Sequence, residues 1–186
     1  MTDLRIPAEP IEPDTGATDA GDTGDAADLP VRVVRSARRR RTAEAKIRNG
    51  ELVVRVPAHL SSDEEEACVA GLVARVRRKV RSDGVDLADR AGALARRHEL
   101  PRPRSIRWSA DQQQRWGSCS VATGDIRVSD RVAAFPPWVL DYVIVHELAH
   151  LVVADHSAAF WELVARYPLA ERARGFLIAK GLEVDG

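Results

Sequence analysis

Three histidines and a glutamate lie within the short stretch 146–156 of the 186-residue chain, at a spacing suited to metal-assisted hydrolysis. In His146-Glu-Leu-Ala-His150 the histidines are four residues apart, so on a helix both imidazoles lie on one face and can reach one metal ion. Glu147 lies beside them and can take a proton from a metal-bound water. We therefore expect one Zn²⁺ per chain, His146 and His150 as ligands, and Glu147 as the general acid/base.

The same pattern can arise by chance on an exposed amphipathic helix. Here, however, it is surrounded by the apolar residues Ile144, Leu148 and Leu151. Polar groups without partners are costly in such surroundings, which favours a metal site.

A catalytic zinc needs a third protein ligand and one open position. His156 is the first candidate, because a turn after the helix can bring it back over the metal. Glu162, one turn into the next helix, is the second candidate. Asp155 could instead orient a ligand imidazole by a hydrogen bond.

Three helices are expected to position these residues. Pro136-Pro137 open a helix that we expect to run to about Val153, since proline is well tolerated in a first turn. Ser157 can cap a further helix that contains Phe160, Trp161 and Val164. A last helix follows Pro168.

The segment Arg115-Trp-Gly-Ser-Cys119 is not explained by ligand spacing. Gly117 predicts a tight turn, and Trp116 and Cys119 can simply be a core side chain and an inert buried thiol. The segment precedes a predicted edge strand, Ile126–Ser129, which could bind an extended peptide by adding it to the sheet. The candidate substrate-side or structural residues are therefore Arg115, Trp116, Gly117, Ser118, Ile126 and Val128.

Four motifs in combination resemble the YgjP-like metallopeptidase family of bacterial zincins. The similarity extends from about Val31 to Leu182. The motifs are His146-Glu-Leu-Ala-His-Leu, Asp155-His-Ser, Phe160-Trp161 and Arg115-Trp-Gly-Ser-Cys.

The resemblance implies an α+β, zincin-like metallopeptidase fold with a small antiparallel or mixed sheet packed on helices. It implies a protein or peptide substrate, His146, His150 and His156 as zinc ligands, and Glu147 as the acid/base. Asp155 departs from the family, which usually has asparagine there. That difference does not affect the implied zinc ligands, but it changes which hydrogen bonds the side chain at this position can make.

Composition divides the chain into a tail and one domain. Residues 1–29 are rich in Asp, Gly, Ala, Thr and Pro, and we expect a disordered acidic tail. The predicted metallopeptidase domain covers 30–186. Its parts are N-terminal strands in 31–57, helices in 61–98 and a catalytic part in 104–182.

The N-terminal half carries clear turn and cap signals. Three strands are expected at Val31–Ser36, Ala43–Arg48 and Glu51–Val56, with Asn49-Gly50 as a hairpin turn. Ser62, three residues before Glu65, predicts a helix N-cap. The remaining predicted elements are a second helix from about Asp86 to His98 and strands at Ser105–Trp108 and Ile126–Ser129.

Charge and cysteine content limit the classes of function that the protein can have. Lys+Arg and Asp+Glu number 28 each, which argues against a nucleic-acid coating protein. Two cysteines are too few for a disulfide framework, and no segment has the ~20 apolar residues of a bilayer span. No basic stretch followed by an apolar run marks a secretory signal. We expect a cytoplasmic protein without a membrane partner.

The run Arg38–Arg41 leaves two alternative functions open. A solvated loop is favoured over a nucleic-acid contact, since the arginines are not interleaved with aromatic residues. The first alternative is a zinc-dependent phosphoanhydride (nucleotide) hydrolase, with these arginines or Arg115 holding phosphates. The second is a DNA-associated protease that the basic run places on nucleic acid.

Overall fold

The computed structural model describes residues 29–112 and 114–181. The fold class is α+β, as predicted. The strands are β1 (Val31–Ser36), β2 (Glu44–Arg48), β3 (Glu51–Pro57), β4 (Ser105–Ser109), β5 (Gly117–Ser120) and β6 (Asp125–Ser129). The α-helices are α1 (Ser62–Asp83), α2 (Leu87–Arg97), α3 (Pro137–His150), α4 (Ala158–Val164) and α5 (Ala170–Ala179). A 3-10 helix at Asp130–Ala134 precedes α3. Apart from Leu29, the predicted tail lies outside the described residues.

The N-terminal strands form a mixed sheet of order β1-β3-β2, in which β1 is parallel and β2 antiparallel to β3. The predicted hairpin turn between β2 and β3 is confirmed. Asn49 and Gly50 have φ angles of 49° and 74°, the positive values that a two-residue hairpin requires.

Helix α1 covers this sheet. Leu52, Val54 and Val56 of β3 are buried against Leu72 and Val76 of the helix, among other apolar side chains. Since an apolar helix face recurs every three or four residues, this packing accounts for the spacing of Val69, Val73 and Val76 along α1.

The cap of α1 differs by one residue from the prediction. The N-cap is Ser61, whose hydroxyl accepts a hydrogen bond from the backbone N–H of Glu64, and the Glu64 carboxylate accepts one from the backbone N–H of Ser61. The alternative pair, Ser62 and Glu65, has the same spacing. Glu65 instead accepts a hydrogen bond from Arg35 of β1, with Nε to Oε2 at 2.6 Å, so its side chain is engaged outside the helix.

The second sheet also has mixed pairing, but its order is β4-β6-β5. Strand β6 is parallel to β4 on one side and antiparallel to β5 on the other. The prediction of an edge strand at Ile126–Ser129 is therefore wrong. The chain between β4 and β6 supplies a strand of its own, β5, which pairs with the side of β6 that would otherwise be free.

Helix α3 lies at the centre of the main core. Every residue from Val139 to His150 is buried except Asp141, which is half-buried. Asp141 accepts a hydrogen bond from Nε of Arg90 on α2, at 2.6 Å. A helix that is buried on all sides holds its side chains in fixed positions. None of the helices in the described ranges has the length and apolar character needed to cross a membrane.

Candidate metal centre

Three imidazoles meet where α3 ends. His146 and His150 occupy the last two turns of α3, one above the other, because residues four apart share a helix face. His156 lies in the connection between α3 and α4 and turns back toward them. One nitrogen of each ring lies within 4.8 Å of the others.

The orientation of the rings directs lone pairs toward a common point. Nδ1 of His150 lies 3.2 Å from the carbonyl oxygen of Val153. Since a carbonyl can only accept, Nδ1 carries the hydrogen and Nε2 keeps its lone pair. Nε2 of His146 lies 3.3 Å from Nε2 of His156. Two nitrogens at this distance can share a cation when each ring carries its hydrogen on Nδ1.

Burial keeps the first of these imidazoles neutral. His146 is fully buried, and burial lowers its pKa to about 3, with further lowering by His150 and His156. Its Nδ1 has no hydrogen-bond partner among the described residues. A neutral, desolvated imidazole is the form in which histidine binds zinc, so the donor set fits that metal.

Helix α4 supplies aromatic rings that hold the imidazole planes. Phe160, fully buried, stacks on His150 with ring centroids 4.4 Å apart and meets the edge of His146 at 4.9 Å. Trp161 stacks on His156 at 5.6 Å. Ser157 is the N-cap of α4, as predicted, although its side chain makes no cap hydrogen bond. The packing of Phe160 and Trp161 against the imidazole rings therefore restrains all three histidines.

Glu147 is also buried, with 2% of its surface exposed. Its side chain packs against Gly117, where an added Cβ would lie 2.8 Å from the carboxyl carbon of Glu147. Gly117 is the first residue of β5 and has no positive φ, so the predicted tight turn at this position is wrong. Gly117 contributes the absence of a side chain, which leaves room for Glu147, and not a special backbone conformation.

A cleft of about 330 Å³ opens beside these residues. One wall comes from α3 and the connection after it, and the other from β5 and the residues around it. The lining residues are Arg115, Ser118, Cys119, Val121, Glu147, His150, Ala154 and His156. The cleft therefore exposes two of the imidazoles, the carboxylate and one edge strand of the sheet.

The structure separates the candidate substrate-side residues into two groups. Arg115 and Ser118 line the cleft, together with Val121 and Ala154, which sequence reasoning missed because they carry no reactive group. Trp116, Ile126 and Val128 are buried in the main core. The ring of Trp116 packs on Phe135 at 5.1 Å and lies under the guanidinium of Arg131.

The two other acidic candidates do not belong to the histidine cluster. Glu162 is exposed and does not belong to the histidine cluster. Asp155 accepts a hydrogen bond from the backbone N–H of Ser157 at 3.3 Å, and its hydrogen bonds with Ser157 lower its pKa. The contacts of Asp155 thus stabilise the start of α4.

Cys119 faces the cleft as a thiol. Burial, and then the nearby charge of Glu147, raise the pKa of Cys119 to about 11. A protonated thiol is a poor metal ligand and a poor nucleophile. The raised pKa supports the predicted inert thiol, although Cys119 is half-buried at the cleft rather than fully buried.

The contacts of the basic run Arg38–Arg41 lie outside this cleft. Arg39 pairs with Glu44, the first residue of β2, and lies near Thr42 in the loop that leads to this strand. Together with Arg40 it lines a separate groove beside His59. These contacts fit the predicted solvated loop.

Comparisons with known proteins add a family match. Residues 77–177 match the model of the family described as YgjP-like, metallopeptidase domain. No curated protein matches the chain. Among solved structures, the metallopeptidase zymogen of Pyrococcus abyssi abylysin is 22% identical with a TM-score of 0.45, covering 50% of this chain and 92% of its own. The metallopeptidase zymogen of Methanocaldococcus jannaschii jannalysin is also 22% identical with a TM-score of 0.45, covering 52% and 97%.

Proposed function

Because the chain belongs to the YgjP-like metallopeptidase family, we propose that it hydrolyses peptide bonds with the help of one zinc ion. The ligands in this proposal are His146, His150 and His156. The observation that carries it is the cluster of three imidazole nitrogens, all within 4.8 Å of one another, at a cleft that also contains Glu147.

The donor set supports zinc over harder cations. Three neutral imidazoles suit zinc, whereas magnesium and calcium prefer oxygen ligands. When bound, zinc supplies Lewis acidity, which polarises the scissile carbonyl and lowers the pKa of a coordinated water toward about 7.

Glu147 moves the proton in this mechanism. Its carboxylate accepts a proton from the attacking water and then delivers that proton to the leaving amine. Burial between α3 and β5 restricts its rotamers, so the side chain is held ready at the cleft. The Cys119 thiol stays protonated beside it and does not compete as a nucleophile.

The edge strand β5 orients the substrate. Its residues Ser118 and Cys119 line the cleft, and among the described strands only β6 pairs with it. An extended peptide can add to the outer edge of β5 by main-chain hydrogen bonds. This replaces the earlier expectation for Ile126–Ser129 and favours unfolded or extended segments as substrates.

The test is cleavage of casein by the purified full chain, before and after treatment with a chelator. We expect chelation to abolish cleavage and stoichiometric zinc, but not magnesium, to restore it. Cleavage that persists in zinc-free protein contradicts the proposal. Phosphate release from nucleoside triphosphates without casein cleavage also contradicts the peptidase proposal, and it favours the phosphoanhydride alternative.

A further inference from the structure

A second concave surface lies away from the metal centre, between the C-terminal half of α1, the 3-10 helix and the end of α5. This groove has a volume of about 580 Å³. Five basic side chains line it: Arg77, Arg78, Arg81, Arg131 and Lys180. We call it the α1 groove.

The positive charge of the α1 groove is compensated only in part. None of the described residues that line it is acidic. Asp130, just outside it, lies 3.5 Å from Nε of Arg78. Burial, and then the charge of Arg78, lower the pKa of Arg131. Mutual repulsion among these cations is relieved by an anion in the groove.

Two guanidinium nitrogens of residues that line the α1 groove lack acceptors. Nε of Arg77 and Nη2 of Arg131 are buried, and neither has a hydrogen-bond partner among the described residues. Buried donors without acceptors cost free energy. Oxygens of a phosphate group are matched to a guanidinium in both charge and geometry.

The basic surface extends beyond what one small anion would need. Arg77, Arg78 and Arg81 of α1 line one side of the groove, and Arg131 and Lys180 add cations from the 3-10 helix and from the end of α5. At about 1.5 Å per residue, the three on α1 extend over about 6 Å of helix, and the other two widen the basic surface. A linear polyanion with successive phosphates engages such a row better than one phosphate does.

The aromatic side chain at the bottom of the groove, Trp116, determines which part of a nucleic-acid strand the groove can bind. Trp116 is 3% exposed and lies under Arg131, 4.4 Å from the ring centroid. A covered ring cannot stack on a base, so the contacts are to the backbone and carry no sequence information. A concave groove of this size admits one strand rather than a duplex.

We propose that the α1 groove binds the phosphate backbone of single-stranded nucleic acid without sequence preference. The groove and the cleft lie on either side of one segment, since Trp116 lines the groove while Arg115 and Ser118 line the cleft. A bound strand therefore leaves the metal centre accessible. This inference does not depend on the proposed peptidase activity.

The test is fluorescence anisotropy of the full chain with a labelled oligothymidylate of about 15 nucleotides. With about four phosphate contacts, the affinity should fall about 50-fold between about 50 and 200 mM salt. Arg77→Gln/Arg81→Gln should weaken binding at least about 10-fold at low salt and roughly halve the slope of log affinity against log salt. The matched control is Arg96→Gln/Arg97→Gln on α2, two exposed arginines outside the groove, which should bind like wild type.

Circular dichroism establishes that each variant is folded. Lys180→Gln, at an exposed position, gives a second and milder test, with a smaller loss of affinity expected. The proposal is overturned if the Arg77/Arg81 variant binds like its control, or if tripolyphosphate competes as well as unlabelled oligonucleotide at equal phosphate concentration. Equal competition by oligoglutamate also overturns it, because the groove would then accept acidic protein segments.

Discussion

Gly117 lies against the side chain of Glu147, so that a methyl group at Gly117 would stand 2.8 Å from the carboxyl carbon and 2.9 Å from Cγ. Both residues are buried, one at the start of β5 and the other on α3. The contact joins the two walls of the cleft at the residue to which we assign proton transfer. It also limits where the carboxylate can lie.

Gly117→Ala should therefore displace the Glu147 carboxylate. Because a shift of about 1 Å in a catalytic group can cost about 100-fold in rate, we expect kcat to fall about 10- to 100-fold with the fold retained. The measurement is casein turnover with circular dichroism on the same preparation. Gly71→Ala is the control, since Gly71 lies on α1 with no atom near its Cβ position. Wild-type turnover in Gly117→Ala would show that the contact does not position Glu147.

The third ligand is tested by a pair of variants. His156→Ala should lower the zinc content to well below one per chain, because two imidazoles alone leave the ion weakly held. Glu162→Ala should keep full zinc, because Glu162 is exposed and outside the cluster. Metal analysis after dialysis checks both. The opposite result would move the third ligand to Glu162.

The ligand pair and its helix were predictable because the signal is local. Spacing of i and i+4 places His146 and His150 on one helix face whatever the rest of the fold does. The position of His156 was harder to predict, because it depends on how the chain turns after α3. The aromatic stacking of Phe160 on His150 depends on packing between helices, which periodicity does not specify.

The Cys119 thiol gives a pH-dependent readout of the cleft. With the pKa raised to about 11, Cys119 should react slowly with iodoacetamide at pH 8, at roughly a hundredth of the rate of an ordinary exposed thiol. The rate should rise about tenfold per pH unit until about pH 11, because only the thiolate reacts. Glu147→Gln removes a nearby negative charge and should accelerate the reaction. Mass spectrometry of the Cys119 peptide follows it, and fast alkylation at pH 8 would contradict the assignment.

The cap of α1 is tested by two neighbouring serines. Ser61→Ala removes the hydroxyl that accepts from Glu64 and should lower the free energy of unfolding by about 1 kcal/mol. Ser62→Ala, one residue on, should change it by less than about 0.5 kcal/mol. Urea denaturation of both variants makes the comparison. Equal losses would show that the cap is shared or shifted.

Two errors in the sequence predictions have a common origin in non-local geometry. Ser61 and Ser62 both precede a glutamate by three residues, and only the pairing of Glu65 with Arg35 separates them. Strand order is equally hidden, because nothing in Ile126–Ser129 shows that β5 pairs with it. Gly117 did carry a signal, since a glycine within a strand often marks a close approach of another group.

The central claim, that Glu147 transfers the proton at a metal centre built by the histidines, is tested most directly by Glu147→Gln. Glutamine has nearly the same shape but cannot accept the proton, so bound zinc and circular dichroism should match wild type. Turnover of casein should fall about 10²- to 10⁴-fold, in kcat rather than KM. Zinc content and turnover are measured on one preparation. Near wild-type turnover, or loss of zinc along with activity, would contradict the account.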